Sequence, residues 1–517
     1  MSGLRLGELV ATLALAQDNA FGQPLESQLR SCLLAVWLCE AMGAPRALRD
    51  TVYWVALLRY VGCTGHAHEV ATVFGDEIAI RAQTLVHDAA NPEEVMRDVV
   101  AFATAAHPPE AREQVIAALH AGVHDWIKVN FSSGCEVGEM LTQRLNFGPE
   151  VRDALRHTFE RWNGHGFPSN AAGETIPLAM RIVHLSHDME AIARLFSPAR
   201  AIEAARERRD RTYDPALADL FVAHGGAWLA RLTALEPWDA VLALEPTPHR
   251  LLEGNALDAA LEVAADFIDL KSPYMAGHSR RCAEVCMEAA RTLGWSADAV
   301  TQLRRAALVH DFGTTAVPNS IWDKPGTLTR AEFDRVELHP MLTEQMLRRS
   351  PALEVLNPIA AAHHEKNDGS GYHKRLRVDA TNLAAALLAA ADVYVGLITE
   401  RADRQAFTPD DAATELRRLA AQNVLEPRAA QAVLGATGHS DTANSRPRRA
   451  RHAGGLSSRE VEVLNLAAKG FTTRQIAERL FISPKTADHH IQHVYTKIGV
   501  STRAAAALWA MQNEMVS

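Results

Sequence analysis

The chain has 517 residues, room for about three domains, with 48% apolar and 22% charged residues as in globular protein. Its formal net charge is −9; a chain coated in nucleic acid would be basic, so any DNA contact must come from a local basic surface. No apolar run reaches the length of about 18 residues that a membrane span needs, and no basic segment with an apolar core opens the sequence, so neither a span nor a secretion signal is expected and the expected location is cytoplasmic.

Leu, Ala and Arg are abundant, aromatics are only 6%, and alternating Val/Ile/Thr runs are scarce. The expected fold class is therefore all-α. The first 245 residues carry two segments that return later: Leu57-Leu-Arg-Tyr-Val-Gly62 and Glu160-Arg-Trp-Asn-Gly-His-Gly-Phe-Pro168. Residues 246–437 repeat them as Leu308-Val-His-Asp-Phe-Gly313 and Glu365-Lys-Asn-Asp-Gly-Ser-Gly-Tyr-His373. Each glycine loop precedes an Ala/Leu-rich helix with one aspartate, Asp188 or Asp392. The offset between copies is 251 residues at the first segment and 205 at the second, so the first copy holds about 46 extra residues between them. Two copies of one helical domain are expected.

The second copy gathers residues suited to metal chemistry: His278, His310, Asp311, His339, His363, His364 and Asp392. His310 and Asp311 end an apolar helix, and Asp392 lies inside a Leu/Ala run where an unpaired carboxylate would be costly to bury. Imidazoles mixed with carboxylates suit Fe, Mn or Zn and not calcium. Seven ligands exceed the usual complement of one ion, which favours two divalent ions able to activate water and clamp a phosphoryl group. The six cysteines form no CxxC pair and read as buried, reduced thiols; Cys282 and Cys286 fall on one helix face.

Residues 251–437 resemble the HD-GYP subgroup of HD phosphohydrolases. The resemblance rests on His278-Ser279, His310-Asp311 with Gly313, Lys324-Pro-Gly-Thr-Leu-Thr329, His339-Pro340, His363-His-Glu365 with Asp368-Gly-Ser-Gly-Tyr372, and Ala391-Asp392. It implies an all-helical domain with two or three Fe or Mn ions that hydrolyses cyclic di-GMP. By the same resemblance His278, His310, Asp311 and Asp392 would hold one metal, and His339, His363 and His364 the other. Asp311 would bridge, His310 and Asp311 would carry the chemistry, and Gly371, Tyr372 and Arg401 would meet the nucleotide. Two positions depart from the family: Thr314 replaces a phosphate-binding lysine and His373 replaces the proline of GYP. Both weaken the expectation of turnover more than that of metal binding. In the first copy the ligand positions align with Ser27, Arg59-Tyr60, Gly134 and Thr158-Phe159, and only Asp188 remains. That copy is expected to be non-catalytic and to serve packing, dimerisation or regulation.

Residues 438–455 are polar, Gly-bearing and contain Arg446, Arg448, Arg449 and Arg451, the composition of a solvated tether or of extra phosphate contact. Residues 456–517 read as four short helices. Ser457-x-x-Glu460 is a capping box, Thr472-x-x-Gln475 opens a second helix, Ser483-Pro484 opens a third helix to about residue 498, and Ser501 caps an alanine-rich fourth. The second and third helices have the spacing of a major-groove reader, with Lys485, Thr486, Asp488 and His489 at base edges and Arg474 and Lys497 within reach of phosphates. Asp488 ranks below Lys485 because a carboxylate repels phosphate. The segment resembles the LuxR/FixJ helix-turn-helix family through Leu456–Leu464, Gln475-Ile-Ala477, Lys485-Thr486, Lys497-Ile-Gly-Val500 and Arg503. The resemblance implies double-stranded DNA as partner and a homodimer paired through the fourth helix.

Three functions stay open at this point. One is a regulator whose metal site senses or hydrolyses a phosphate ligand such as cyclic di-GMP. Another is a metal phosphodiesterase with a secondary DNA-binding tail. The last is a non-catalytic, metal-stabilised dimer scaffold.

Overall fold

The structure, a computed structural model, describes residues 3–88, 91–377, 380–439 and 453–516. Among them the strands are Leu4–Arg5 and Leu251–Leu252, paired antiparallel, and the remaining regular elements are helices, as expected of an all-α chain. Arg446, Arg448, Arg449 and Arg451 of the basic tether lie outside the described residues. No helix among the described residues is long and apolar enough to cross a membrane.

Two compact units emerge. One comprises Gly3–Leu252 with Pro318–Ser320, the other Glu253–Val317 with Ile321–Ser517. In the first, helices Leu6–Ala20, Ser27–Ala41 and Leu178–Leu195 bury residues almost all round, because each carries Leu, Ala, Val or Ile at nearly every turn. The extra residues of this copy form helices Ala67–Phe74, Glu77–Thr84 and Pro92–Ala106 and lengthen Arg112–Arg144 to 33 residues. They make a core of their own around Val70, Phe74, Ile80, Val99 and Leu119.

In the second unit the central helix is Leu383–Ile398, in which Leu387, Leu388, Ala390 and Ala391 are fully buried. Each such leucine contributes about 1.5–3 kcal/mol by leaving water. Helices His278–Thr292, Pro409–Ala421 and Pro427–Ala436 pack against it. The four C-terminal helices, Ser458–Ala468, Thr473–Arg479, Pro484–Ile498 and Arg503–Gln512, belong to this same compact unit. Ser457 and Thr472 form their capping boxes, and Ser483 caps the third helix ahead of Pro484.

The two copies repeat in detail. A Cβ on Gly62 would meet the Gly134 carbonyl oxygen at 1.8 Å, and one on Gly313 would meet that of His339 at 1.9 Å, so only glycine allows either approach. A Cβ on Gly166 or Gly371 would lie 2.3 Å and 2.5 Å from the Cα of Glu160 and Glu365. The Asp18 carboxylate accepts the Gln28 N–H at 3.0 Å, and Asp269 accepts that of Ser279 at 2.9 Å. These pairs carry the sequence offsets of 251 and 205 into space and set Gly134 at the place of His339.

Candidate metal centre and DNA-binding surface

Local structure aims the histidines of the second unit. His310, His339 and His363 each follow or begin a helical turn, and each Nδ1 lies 2.7 Å from the carbonyl oxygen three residues earlier, that of Ala307, Val336 or Ala360. An Nδ1–H donated to a carbonyl fixes the tautomer and leaves the Nε2 lone pair pointing away from the backbone. All three side chains are fully buried.

The Nε2 atoms converge on Asp311. Its Oδ2 lies 3.4 Å from His310 and 3.8 Å from His278, while its Oδ1 lies 3.5 Å from His339 and 3.4 Å from His363. Asp392 closes the ring, with Oδ1 3.0 Å from His278 Nε2 and Oδ2 3.8 Å from His364 Nδ1. The structure therefore brings all seven predicted residues together. Burial opposes the Asp311 charge, yet His310 and the other imidazoles hold its carboxyl well below the ordinary range. Burial pushes His339 down to about 4 and His364 well down, so these rings are neutral and free to ligate.

The donor set fits metal ions. His339 and His363 face each other Nε2 to Nε2 at 3.0 Å, with both protons held elsewhere, and His310 Nε2 is buried with no hydrogen-bond partner. Two lone pairs at that distance repel, whereas adjacent ligands of one ion, bonded at about 2.0–2.1 Å, stand about 3 Å apart. The ligand atoms fall into overlapping groups: His310, Asp311 and His363; His339, His363 and His364; and His278, Cys282, His310 and Asp392. The last holds a member the sequence analysis left among structural thiols. Cys282 stands one turn after His278, and its Sγ lies 3.6 Å from His278 Nε2. Burial raises that thiol well above its ordinary range. The i to i+4 spacing was the available signal.

The predicted nucleotide contacts divide. Tyr372 stacks on His364 with centroids 4.7 Å apart and borders the centre. Gly371 is buried and serves the close approach of its loop to Glu365, so its position answers to packing. Arg401 turns its guanidinium to the Met275 sulfur, 2.6 Å away. Thr314 donates its hydroxyl to the Asp311 carbonyl at 2.7 Å. His373 pairs with Glu344 at 3.4 Å. Lys366, absent from the predicted set, is a cation whose pKa burial lowers and the charge of Asp392 raises.

The first unit shows what the lost ligands became. Arg59, at the position of His310, places its guanidinium 3.8 Å from Asp188, which also meets His187 at 3.3 Å and the Tyr213 hydroxyl at 3.0 Å. Burial alone would raise the Asp188 carboxyl, but His187 and Arg59 hold it below the ordinary range. A fixed cation stands where the other copy presents imidazoles.

The HD domain family matches residues 131–217 and 262–428, and the luxR family of bacterial regulatory proteins matches residues 455–510. The chain is a tandem HD-domain protein with a LuxR-type regulatory domain. Its HD domains are similar to the 3'3'-cGAMP-specific phosphodiesterase 3 of Vibrio cholerae, at 28% identity over 410 residues, 79% of this chain and 89% of that protein. The cyclic di-GMP phosphodiesterase response regulator RpfG of Xanthomonas campestris is 37% identical over 158 residues, 30% of this chain and 41% of RpfG. A crystal structure of a cyclic GMP-AMP specific phosphodiesterase of V. cholerae (V-cGAP3) aligns over 84% of this chain and 98% of its own, with TM-score 0.58 and 25% identity.

In the LuxR-type domain Lys485, Thr486, Asp488 and His489 are exposed at the start of the third helix. Thr486 also shares its hydroxyl with Ser483 at 2.8 Å. The two predicted phosphate contacts both have partners within the domain. Lys497 is drawn to Glu460 at 2.7 Å, where it closes the first capping box. Arg474 lies exposed and pairs with Glu478 at 3.0 Å along its own helix. The fourth helix is covered: Ala505, Ala506, Leu508 and Ala510 are fully buried, and Met511 packs 3.8 Å from where a Gly277 Cβ would stand in the second HD domain. Arg479 and Glu400 add an ion pair between these two domains at 3.1 Å. The helix expected to pair in a dimer thus has partners within its own chain.

Proposed function

We propose that the chain is a cytoplasmic DNA-binding regulator whose second HD domain holds a two-metal centre and senses or hydrolyses a cyclic dinucleotide. The observation that carries this is Asp311, each of whose oxygens faces two histidines. That arrangement suits a bridging carboxylate. The names of the relatives, specific for 3'3'-cGAMP or cyclic di-GMP, supply the substrate class. The division we propose is a first HD domain over residues 1–245, a second over 246–437, a tether over 438–455 and the LuxR-type domain over 456–517.

His278, His310, Asp311 and Asp392, joined by Cys282, would hold one ion, and His339, His363 and His364 the other. The mixed imidazole and carboxylate set suits Fe, Mn or Zn, and the HD-GYP resemblance favours Fe or Mn. Bound ions would supply positive charge to a phosphodiester and activate water against it. The protein's own part is to fix the ring tautomers through Ala307, Val336 and Ala360 and to hold Tyr372 against His364 beside the nucleotide. Thr314 carries no charge and gives its hydroxyl proton to the backbone, so it supplies neither charge nor that hydrogen bond to a phosphate. This favours slow turnover and a sensing role over an efficient hydrolase.

The deciding experiment is elemental analysis of the purified chain together with calorimetric titration of cyclic di-GMP and 3'3'-cGAMP, and a search for the linear product. About two Fe, Mn or Zn ions per chain and saturable nucleotide binding are expected, both lost when His310 and Asp311 become alanine. A metal-free chain that ignores both nucleotides would overturn the proposal.

A further inference from the structure

The extra residues of the first HD domain roof a cavity of about 220 Å³ that stands over its former ligand positions. One wall comes from that insertion: Val70, Phe74, Ile80, Val99, Trp126 and Ile127. Facing it are the aromatic rings of Phe131, Phe159 and Phe167, with Phe131 and Phe159 stacked at 4.0 Å. Phe159 and Arg59 occupy positions that hold His364 and His310 in the second domain. Where the second domain gathers its histidines, the first has a largely apolar chamber.

The chamber is not purely apolar. Arg59, Arg81 and Arg161 line it, and each is at least nine-tenths buried, with 4%, 9% and 8% exposure. Asp188 is the one carboxylate among the lining residues. Arg161 spends one nitrogen on the Glu160 carbonyl at 2.8 Å and leaves its Nε without a partner. The Arg59 Nε is likewise unpartnered. Arg81 donates to the carbonyls of Ala20 and Cys63 at 3.3 Å and 2.9 Å, neither of which carries a charge. Buried guanidinium N–H groups without acceptors are costly, and a bidentate oxyanion satisfies them.

We infer that the first HD domain binds a small amphipathic acid, with its carboxylate at the arginines and its apolar body between the insertion and the aromatic floor. The volume exceeds the ~150 Å³ apolar hole that accepts benzene, so a medium-chain or single-ring acid fits. A cyclic dinucleotide does not: its two phosphates and two polar bases need more room and more hydrogen-bonding partners than this lining offers. The first domain is then a receptor for a ligand of a different class from that of the second.

The test is calorimetric titration of the full chain with decanoate, decyl phosphate and decanol. Saturable binding of decanoate at one site per chain is expected, tighter than decanol by tenfold or more. Arg161→Met should weaken decanoate at least tenfold and leave decanol unchanged. Val99→Trp and Ile127→Trp, in separate chains checked by circular dichroism, should each fill the chamber and abolish binding of both. Decyl phosphate binding as tightly as decanoate still supports an oxyanion site, and binding more than tenfold tighter overturns the carboxylate assignment in favour of a phosphate. Absence of saturable decanoate binding, equal losses of acid and alcohol in Arg161→Met, or full binding in both folded tryptophan variants overturns the inference. Metal content of the second domain should not change in any of these chains, which separates this test from that of the metal centre.

Discussion

The Nε2 atoms of His339 and His363 stand 3.0 Å apart, each ring anchored by its Nδ1 to a carbonyl of the main chain. Rings so held make a ready pair of ligands. Because Asp311 faces both halves of the ring, Asp311→Asn should strip about two ions per chain. His364→Ala, at the rim, should remove no more than one. Metal counts by plasma emission spectrometry check this; equal losses in the two variants would refute a bridging role. Saturation with metal at about 1,000 times its dissociation constant would stabilise the folded unit by about 4 kcal/mol, so chelation should lower its melting temperature.

Cys282 gives the centre a spectroscopic handle. Cobalt(II)-loaded chain should show the near-ultraviolet charge-transfer absorption of a thiolate on cobalt. Cys282→Val should abolish it, and Cys286→Ser, buried one turn further along, should leave it intact. An unchanged band in Cys282→Val would remove the thiol from the ligand set.

On the candidate DNA-binding surface Lys485 and Lys497 should behave differently. Lys485→Ala should weaken binding to duplex DNA and lower the slope of log affinity against log salt by about 0.9. Lys497→Ala should leave the slope alone and loosen the first helix, whose cap residue Ser457 is itself worth about 1 kcal/mol. Filter binding across a salt series and chemical denaturation separate the two. A fall of about 0.9 in the slope for Lys497→Ala would return that lysine to the phosphates.

Acid should expose the same contact. Lys497 and the Ser457 N–H pull the Glu460 carboxyl down to about 2, against about 4.3 for a free glutamate. A depressed folded pKa gives stability that is present above about 4.3 and is lost as pH falls toward 2. The stability gap between the wild type and Lys497→Met should therefore be open at pH 6 and narrow at pH 3. A gap that does not change with pH would show that the pair contributes nothing.

That His310, Asp311 and their partners would gather was legible in sequence because histidine and aspartate at helix ends, next to an obligatory glycine such as Gly313, leave few other uses. The caps at Ser457, Thr472 and Ser483 were legible for the same local reason. What escaped depends on distant partners. Cys282 looks like any helical thiol until His278 and Asp392 are placed around it. Lys497 is an exposed cation in sequence, and its partner lies 37 residues away on another helix. The covering of the fourth helix by the second HD domain involves Gly277 and Met511, which no local pattern connects. Arg59 was read as a lost ligand, and only the fold shows its charge beside Asp188.

That last exchange has a genetic side. Codons for histidine and arginine can differ by a single base, so the change that removes an imidazole from this position can deliver the guanidinium at once. A carboxylate buried like Asp188 need never pass through a generation without a counter-charge, and the duplicated domain can leave metal dependence without an unstable intermediate sequence.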